Sequence, residues 1–394
     1  MRIAIVSSMF PPIQSGSSHY AARIAKGLSE LGHDVLVISS RVGQFDTLGN
    51  YKHVTIPTVM IPSTPLSHGY RLPYCFYPLS IPLANALLGK FKPDIIHANG
   101  HFLNTSWMAA NSAKHLRVPI VLTVHTKLLH TNSVLNALMR YTDRSILRRI
   151  WSKIDAAISL DRQMRYYIMK SLNISLERIH PIPLAIDLKR FLSYPVDNGD
   201  FIKSITSNRV ILSISHLTRL KSAVTLLKAF KVISDEMKDV DLVFIGKIHD
   251  QTPIDLAAKL GISSRIHFLG EVQHKLIPSF LKHAVLEAHS LDSRTGFDNV
   301  CIESMAMGVP VISCVASNNF DRPWLVDSEN VLLVKPRNVN DTVNAMRLVL
   351  DDKKLASAIS SNAKKTAREC FSIERLLTDL EKLYSSLLSA KDAL

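Results

Sequence analysis

The chain of 394 residues is 47% hydrophobic and 20% charged, with a formal net charge of +14. That composition excludes a disordered, collagenous or coiled-coil protein and suits two domains of ordinary size, each with a full core. Four cysteines, Cys75, Cys301, Cys314 and Cys370, lie far apart without paired metal-ligand spacing. They argue against a disulfide framework or a structural zinc site, and for a reducing compartment.

In chain order, the opening MRIAIVSS reads as a short strand rather than a secretion signal. Apolar strand-like runs follow at 35–39, 95–98, 120–124 and 156–159, with amphipathic helices at 18–31 and 103–115. Residues 72–89 form the most apolar charge-free stretch, but Pro73, Pro78 and Pro82 rule out a membrane-spanning helix there. After a polar stretch at 193–208 the pattern restarts. Strands are expected at 210–213, 242–245, 266–268, 285–288, 311–312 and 331–333, and helices begin near Lys221, Pro253, His274, Val300 and Val339.

Continuous apolar strands alternating with helices predict α/β domains with parallel sheets covered on both faces. Two doubly wound, Rossmann-like domains are expected, at residues 1–190 and 191–372. A C-terminal helix follows at 373–394, with an apolar stripe of Ile373, Leu376, Leu377, Leu380, Leu383 and Leu387. Ligands of such sheets bind beyond the carboxyl ends of the strands, which places the expected site in a cleft between the domains.

The basic excess is concentrated in the first half, where residues 1–190 hold 22 Lys and Arg against 9 Asp and Glu. An anionic partner explains it, whether lipid surface, nucleic acid or phosphorylated substrate; so does a charge that only aids solubility. The run 139–153 combines five cations with Ile146, Leu147, Ile150 and Trp151, and 73–88 is apolar and aromatic. Together they suit an interfacial enzyme, or equally a helix packed on its domain with a solvated basic face. No recognisable nucleic-acid module is present, and no nucleic-acid partner is expected.

Two loops carry chemistry. The first, Met9-Phe-Pro-Pro-Ile-Gln-Ser-Gly-Ser-Ser, opens a helix with hydroxyl caps and one glycine. Its free N–H groups make a seat for a diphosphate, or simply a capped turn. The second runs from Thr295-Gly-Phe-Asp-Asn-Val through Glu303 to Gly308 and Pro310. Its loop leads into a helix with one carboxylate, Glu303, about one turn in. That carboxylate is either an acceptor of two ribose hydroxyls or a solvated surface group.

These segments fall in an ordered series. It runs Pro11-Pro-x-x-Ser15-Gly16, Leu31-Gly-His-Asp-Val35, Lys92-Pro-Asp-Ile-Ile-His97, Thr123-Val-His125 and Ala185-Ile-Asp-x-x-x-Phe191 in the first half. Lys221-Ser-x-x-x-Leu-Leu-x-Ala-Phe230, Phe268-Leu-Gly-x-Val272 and Glu303-Ser-Met-Ala-x-Gly-x-Pro-Val311 follow. The series resembles the retaining glycosyltransferases of family 4. The resemblance implies a GT-B fold of two facing Rossmann-like domains with an interdomain cleft, the C-terminal helix crossing back to the N-terminal domain. The first domain then binds the acceptor and the second the nucleotide-sugar donor.

It further implies that Glu303 binds the donor ribose, that N–H groups of Phe297, Asp298, Asn299 and Val300 meet the diphosphate and sugar, and that Lys221 neutralises the leaving group. Gly16 would let backbone approach the phosphates, and His125 would point toward the donor sugar. Catalysis would be metal-independent, without a cofactor. Three positions depart from the family pattern. Thr295, beside Gly296, stands where an acid is usual, with Asp292 or Asp298 as possible substitutes. His216 replaces an arginine, for which Arg219 could compensate, and Ser15 replaces a glycine.

Asp239-Val-Asp241 imitates a metal-binding Asp-x-Asp but is better read as a solvated turn before a strand. His19, His97 and His101 are acceptor-side candidates without metal-ligand support. The expected protein is therefore a retaining glycosyltransferase, cytoplasmic and peripheral on the inner face of a membrane. It would transfer from a UDP- or GDP-sugar to a membrane lipid, a lipid-linked carrier or a surface polysaccharide. A catalytically silent nucleotide-sugar-binding subunit and a non-hydrolysing sugar-nucleotide epimerase are the alternatives.

Overall fold

The structure, a computed structural model, describes residues 1–13, 15–42, 49–61, 72–76, 78–127, 133–152, 154–196, 200–218, 223–289, 291–292 and 297–392. The chain divides into two compact units, Met1–Ala185 with Ile373–Leu394, and Ile186–Ser372.

The first unit contains β1 (Arg2–Ser7), β2 (Asp34–Ser40), β3 (Lys52–Ile56), β4 (Thr58–Ile61), β5 (Leu72–Cys75), β6 (Ile95–Asn99), β7 (Ile120–Val124), β8 (Ala156–Ser159) and β9 (Ile179–Pro181). Seven of them form one parallel sheet in the order β3-β2-β1-β6-β7-β8-β9, while β4 and β5 make an antiparallel pair. Its helices are α1 (Gly16–Glu30), α2 (Ser80–Phe91), α3 (Asn104–Leu116), α4 (Ser133–Thr142), α5 (Arg148–Trp151) and α6 (Arg162–Ser171). Alternate strand residues feed two apolar layers, Ala4, Val6, Ile96 and Leu122 on one face and Ile3, Ile5, Ile95 and Val121 on the other. Burial on both faces is why these strands read as unbroken apolar runs. Strands β3 and β9 escape that reading because they close the two edges of the sheet, where KHVTI and IHP are only partly buried.

The second unit contains α7 (Leu188–Leu192), α8 (Asp200–Ile205), β10 (Arg209–Ile214), α9 (Val224–Glu236), β11 (Val240–Ile245), α10 (Thr252–Lys259), β12 (Ile266–Phe268), α11 (Ile277–His283), β13 (Ala284–His289), α12 (Asn299–Met307), β14 (Val311–Ser313), β15 (Leu332–Leu333), α13 (Val339–Asp351) and α14 (Lys353–Cys370). The sheet order is β12-β11-β10-β13-β14-β15, all parallel. Helix α9 starts at Val224 rather than near Lys221, and His274 opens a single 3-10 turn before α11. The sequence reading did not anticipate α14, whose buried side is only Ile359, Ala363 and Ala367, too small to make a strong apolar stripe.

The second unit begins at Ile186, a few residues before the expected boundary at 191. Ile186 bridges Ser372 and donates its N–H to the Phe371 carbonyl at 3.0 Å, so the chain is already tied to the end of this unit. The last helix, α15 (Ile373–Asp392), belongs to the first unit and buries Leu376, Leu377, Leu380, Leu383 and Tyr384 there. It passes so close to α1 that a Cβ on Gly27 would collide with the Leu377 side chain. His33 on the turn after α1 bonds Glu381 at 2.8 Å.

Gly246, directly after β11, has φ +143° and lies against the Ser215 carbonyl, where a Cβ would overlap backbone. Gly246→Ala is therefore expected to cost at least about 2 kcal/mol, read as a lowered denaturation midpoint of the second unit. An unchanged midpoint would contradict this close approach.

Asp241 corrects the expectation of a solvated turn. It lies within β11, with its side chain 5% exposed, and accepts bonds from Arg265 Nε at 2.6 Å and Thr206 at 2.6 Å. Asn208 and His267 complete its shell at 3.0 Å each. Burial pushes this carboxyl up, but those hydrogen bonds outweigh it and hold it at about 2. Because the folded value lies below the unfolded one, the stabilisation is present above about pH 4 and lost as pH falls toward 2. Asp241→Asn should flatten that acid limb in a pH series of unfolding curves; an unaltered limb would assign it to other carboxylates.

Candidate active site

Strand order reverses between β1 and β6 in one sheet, and between β10 and β13 in the other. Ligands of open parallel sheets sit outside the carboxyl ends of the strands at such points. Among the described residues, Gly16, His19 and His125 lie at these strand ends in the first unit, and His216, Asp298, Asn299, Val300 and Glu303 in the second.

In the first unit, β1 runs through Pro11–Pro12, joined by a cis peptide, into α1. Ser15 caps that helix, its hydroxyl accepting the Ser18 N–H at 3.1 Å. Gly16 is exposed with open space around it, and the first turn carries no acid, so N–H groups and helix dipole remain available to an anion. His19 is half-buried on the same turn, its N–H donating to the Ser15 carbonyl at 3.1 Å.

Asn99, at the end of β6, was not singled out by the sequence and proves to be the hub. Its amide nitrogen donates to Ser7 Oγ at 3.0 Å and to the Ser17 carbonyl at 3.1 Å. The amide oxygen must then face His125 Nε2, 2.6 Å away, so that nitrogen carries the ring proton and Nδ1 is an acceptor. Burial, with a smaller push from His97 and His101, lowers His125 to about 3. The ring is neutral at pH 7, suited to a hydroxyl rather than to a phosphate charge. The only sequence signal for Asn99 was its place directly after an apolar strand and before Gly100.

His97 and His101 do not line an acceptor surface, contrary to expectation. They are 1% and 0% exposed, and burial lowers them to about 4 and about 3. His97 is held by Tyr384 Oη at 2.6 Å and Thr123 Oγ1 at 2.7 Å. His101 bonds Tyr167 Oη at 2.8 Å, and its carbonyl accepts both Trp107 and Trp151 indole N–H groups at 2.9 Å. Each fills a core position; both ring nitrogens of His97 are bonded there, whereas His101 is held through Nε2 and has no hydrogen-bond partner at Nδ1.

In the second unit, α12 opens after β13 with Asp298 at its N-cap. Asp298 does not cap the helix with its side chain; the carboxylate turns to His289 Nε2 at 2.9 Å. Asn299 and Val300 are half-buried in the first turn, and Phe297 is 3% exposed, anchored against Phe320 and Phe371. Glu303 is 3% exposed, and one oxygen meets His274 Nε2 at 2.8 Å. His274 sits beside the rings of Phe191 and Tyr194, and nothing in the local sequence pointed to it. His216, just past β10, accepts the Lys247 N–H at Nδ1 (3.0 Å), so it too is a neutral ring with its proton on Nε2.

Both carboxylates named as substitutes for the acid missing at position 295 already hold a partner within this unit. Asp292 is bonded to Thr225 at the start of α9, and Asp298 to His289. Arg219, Lys221, Thr295 and Gly296 lie outside the described residues.

The basic run in the first unit is not one continuous helix. Helix α4 passes into a single π-helical turn, Asp143–Leu147, and then α5. Leu147 and Trp151 are buried, whereas Val134, Leu138, Tyr141 and Ile146 are exposed among Arg140, Arg144, Arg148 and Arg149. Phe76 and Leu79 are further exposed apolar residues of this unit, 52% and 80% accessible. No described helix is long and apolar enough to cross a membrane.

Two parallel-sheet Rossmann-like domains with these loops at their strand ends are the GT-B fold. Two family models match, Glycosyltransferase Family 4 over residues 14–190 and Glycosyl transferases group 1 over residues 199–366. The chain belongs to this glycosyltransferase family and is a transferase of sugars. Among its relatives is the MMP alpha-(1->4)-mannosyltransferase of Mycolicibacterium hassiacum, 25% identical and covering 99% of both chains. Alpha-monoglucosyldiacylglycerol synthase of Acholeplasma laidlawii is 24% identical over 96% of this chain and 97% of its own. HepE of Anabaena, solved with UDP, shares the fold with a TM-score of 0.76 at 19% identity, covering 98% of this chain and 100% of that one.

Proposed function

We propose that this glycosyltransferase moves a sugar from a UDP- or GDP-sugar to a hydroxyl acceptor, with retention of anomeric configuration. The observation that carries the reading is Glu303, a carboxylate 3% exposed inside the helix that follows β13, at the strand-order reversal. A buried acceptor-only group at that place suits two ribose hydroxyls. The N–H groups at 297–300 receive the diphosphate, and Lys221 with Arg219 neutralises charge building on the departing oxygens. Gly16 lets backbone near the phosphates. Neutral His125 accepts a hydroxyl of the donor sugar at Nδ1, and Asn99 is its positioning residue.

The acceptor is a membrane lipid, a lipid-linked carrier or a surface polysaccharide, met at an anionic bilayer. Support comes from the exposed apolar and arginine side chains at 134–149, and from a relative named as a diacylglycerol-glycolipid synthase. UDP bound to HepE supports a nucleotide-linked donor.

Nucleotide release from UDP-, GDP- and ADP-sugars, with and without a membrane-lipid extract, tests the reading. The expected result is one productive donor, stimulated by lipid and lost in Lys221→Ala. No binding of any donor would refute it. For the membrane part, the protein should sediment with phosphatidylglycerol vesicles at low salt, and Arg144→Glu with Arg148→Glu should abolish this without changing thermal stability. Failure of the native protein to sediment would remove the membrane from the proposal.

A further inference from the structure

Strand β13 carries two charged residues in the core of the second unit. Glu287 and His289, two apart and therefore on the same face of the strand, are 0% and 1% exposed. Cys301 of α12 is also 0% exposed, and one ligand atom from each of the three lies within 4.8 Å of the others. A core position ordinarily takes an apolar side chain, and a buried charge needs a partner. Yet neither Glu287 oxygen nor His289 Nδ1 meets strict hydrogen-bond geometry; Glu287 has only the Ile214 backbone and His289 itself as near partners. Unsatisfied buried groups of this kind in a folded protein call for an ion or another specific cause.

The spacing suits a metal better than a hydrogen bond. His289 Nδ1 and Glu287 Oε1 are 3.5 Å apart, long for a charge-assisted bond. Two ligands of one tetrahedral zinc, at about 2.0–2.1 Å each, stand roughly 3.3–3.4 Å from one another. The other ring nitrogen, Nε2, is already held by Asp298 at 2.9 Å. A carboxylate on the distal nitrogen orients a metal-ligating histidine and raises its basicity.

We propose that Glu287, His289 and Cys301 form a buried structural site for zinc or another thiolate-preferring divalent transition metal, with His289 ligating through Nδ1. The mixed thiolate, imidazole and carboxylate set excludes magnesium and calcium as the preferred ions. Binding releases the Cys301 thiol proton and any proton on Nδ1. The ion ties β13 to α12, the helix that carries Glu303, and Asp298 at the start of that helix is drawn into the same network. The separation of Cys301 from the other cysteines hid this site, because two of its three ligands come from one strand and are not cysteine.

The metal content of the native protein, expressed with zinc and gel-filtered in the presence of EDTA, tests the proposal. The expected result is about one zinc per chain, falling below about 0.2 in Cys301→Ser. Protein refolded with cobalt(II) should show both d–d bands and a thiolate-to-cobalt charge-transfer band. The charge-transfer band should vanish in Cys301→Ser and persist in Cys314→Ser. Zinc below about 0.1 per chain in native protein, together with no cobalt spectrum after refolding, would overturn the site. Glu287, His289 and Asp298 would then be a metal-free ion triad. Equal metal in native protein and Cys301→Ser would overturn it as well, by placing the ion elsewhere.

Discussion

Glu303→Gln should lower kcat/KM for the donor by about 100-fold or more while leaving the unfolding midpoint nearly unchanged. Glutamine keeps the shape of a side chain that is 3% exposed, so the core around α12 is preserved. It replaces one acceptor oxygen with a donor, and a ribose hydroxyl that needs an acceptor is left unpaired. His274 separates this role from a structural one, because it bonds the same carboxylate at 2.8 Å and its own side chain is 53% exposed. If Glu303 served only to hold His274, then His274→Ala would reproduce the full loss. The expected effect of His274→Ala is smaller, seen in KM more than in kcat, with the carboxylate still in place. Activity of Glu303→Gln within about threefold of native would end the assignment of ribose binding to this residue.

Trp151→Ala should destabilise the first unit by about 3–5 kcal/mol. The indole is fully buried in the layer that contains Leu122, Leu147 and Ile168, and its N–H donates to the His101 carbonyl at 2.9 Å. Trp151→Phe retains most of the volume and loses the hydrogen bond, so it should cost only about 1–2 kcal/mol. Because the chain has two units, the loss is best read locally, as faster hydrogen exchange in peptides spanning 133–152. The same anchor holds the segment bearing Arg140, Arg144, Arg148 and Arg149. Vesicle binding should therefore weaken in Trp151→Ala together with protection. A cost below about 1 kcal/mol would mean that this segment is held by something other than its tryptophan.

The α/β class, the central strands of both sheets, most helix starts and the final amphipathic helix were legible from sequence. Apolar periodicity, caps and breakers act over a few residues, and a strand buried on both faces declares itself as a continuous run. Glu303 stood out in the sequence as the single acid of its helix, but only the fold decided that it is buried rather than solvated. Tertiary structure alone decided what the polar residues do. His97 meets Tyr384 across 287 positions and Glu303 meets His274 across 29, distances over which no local pattern carries information. Lone histidines at strand ends looked alike in the sequence, yet His97 and His101 are sealed in the core while His125 is turned onto Asn99 at the strand ends. Asp241 looked like a turn residue until Arg265, His267, Thr206 and Asn208 surrounded it. Residue type sets which bonds a side chain can make, but a buried charge is tolerated only where the folded chain delivers its partners, and that delivery belongs to the fold.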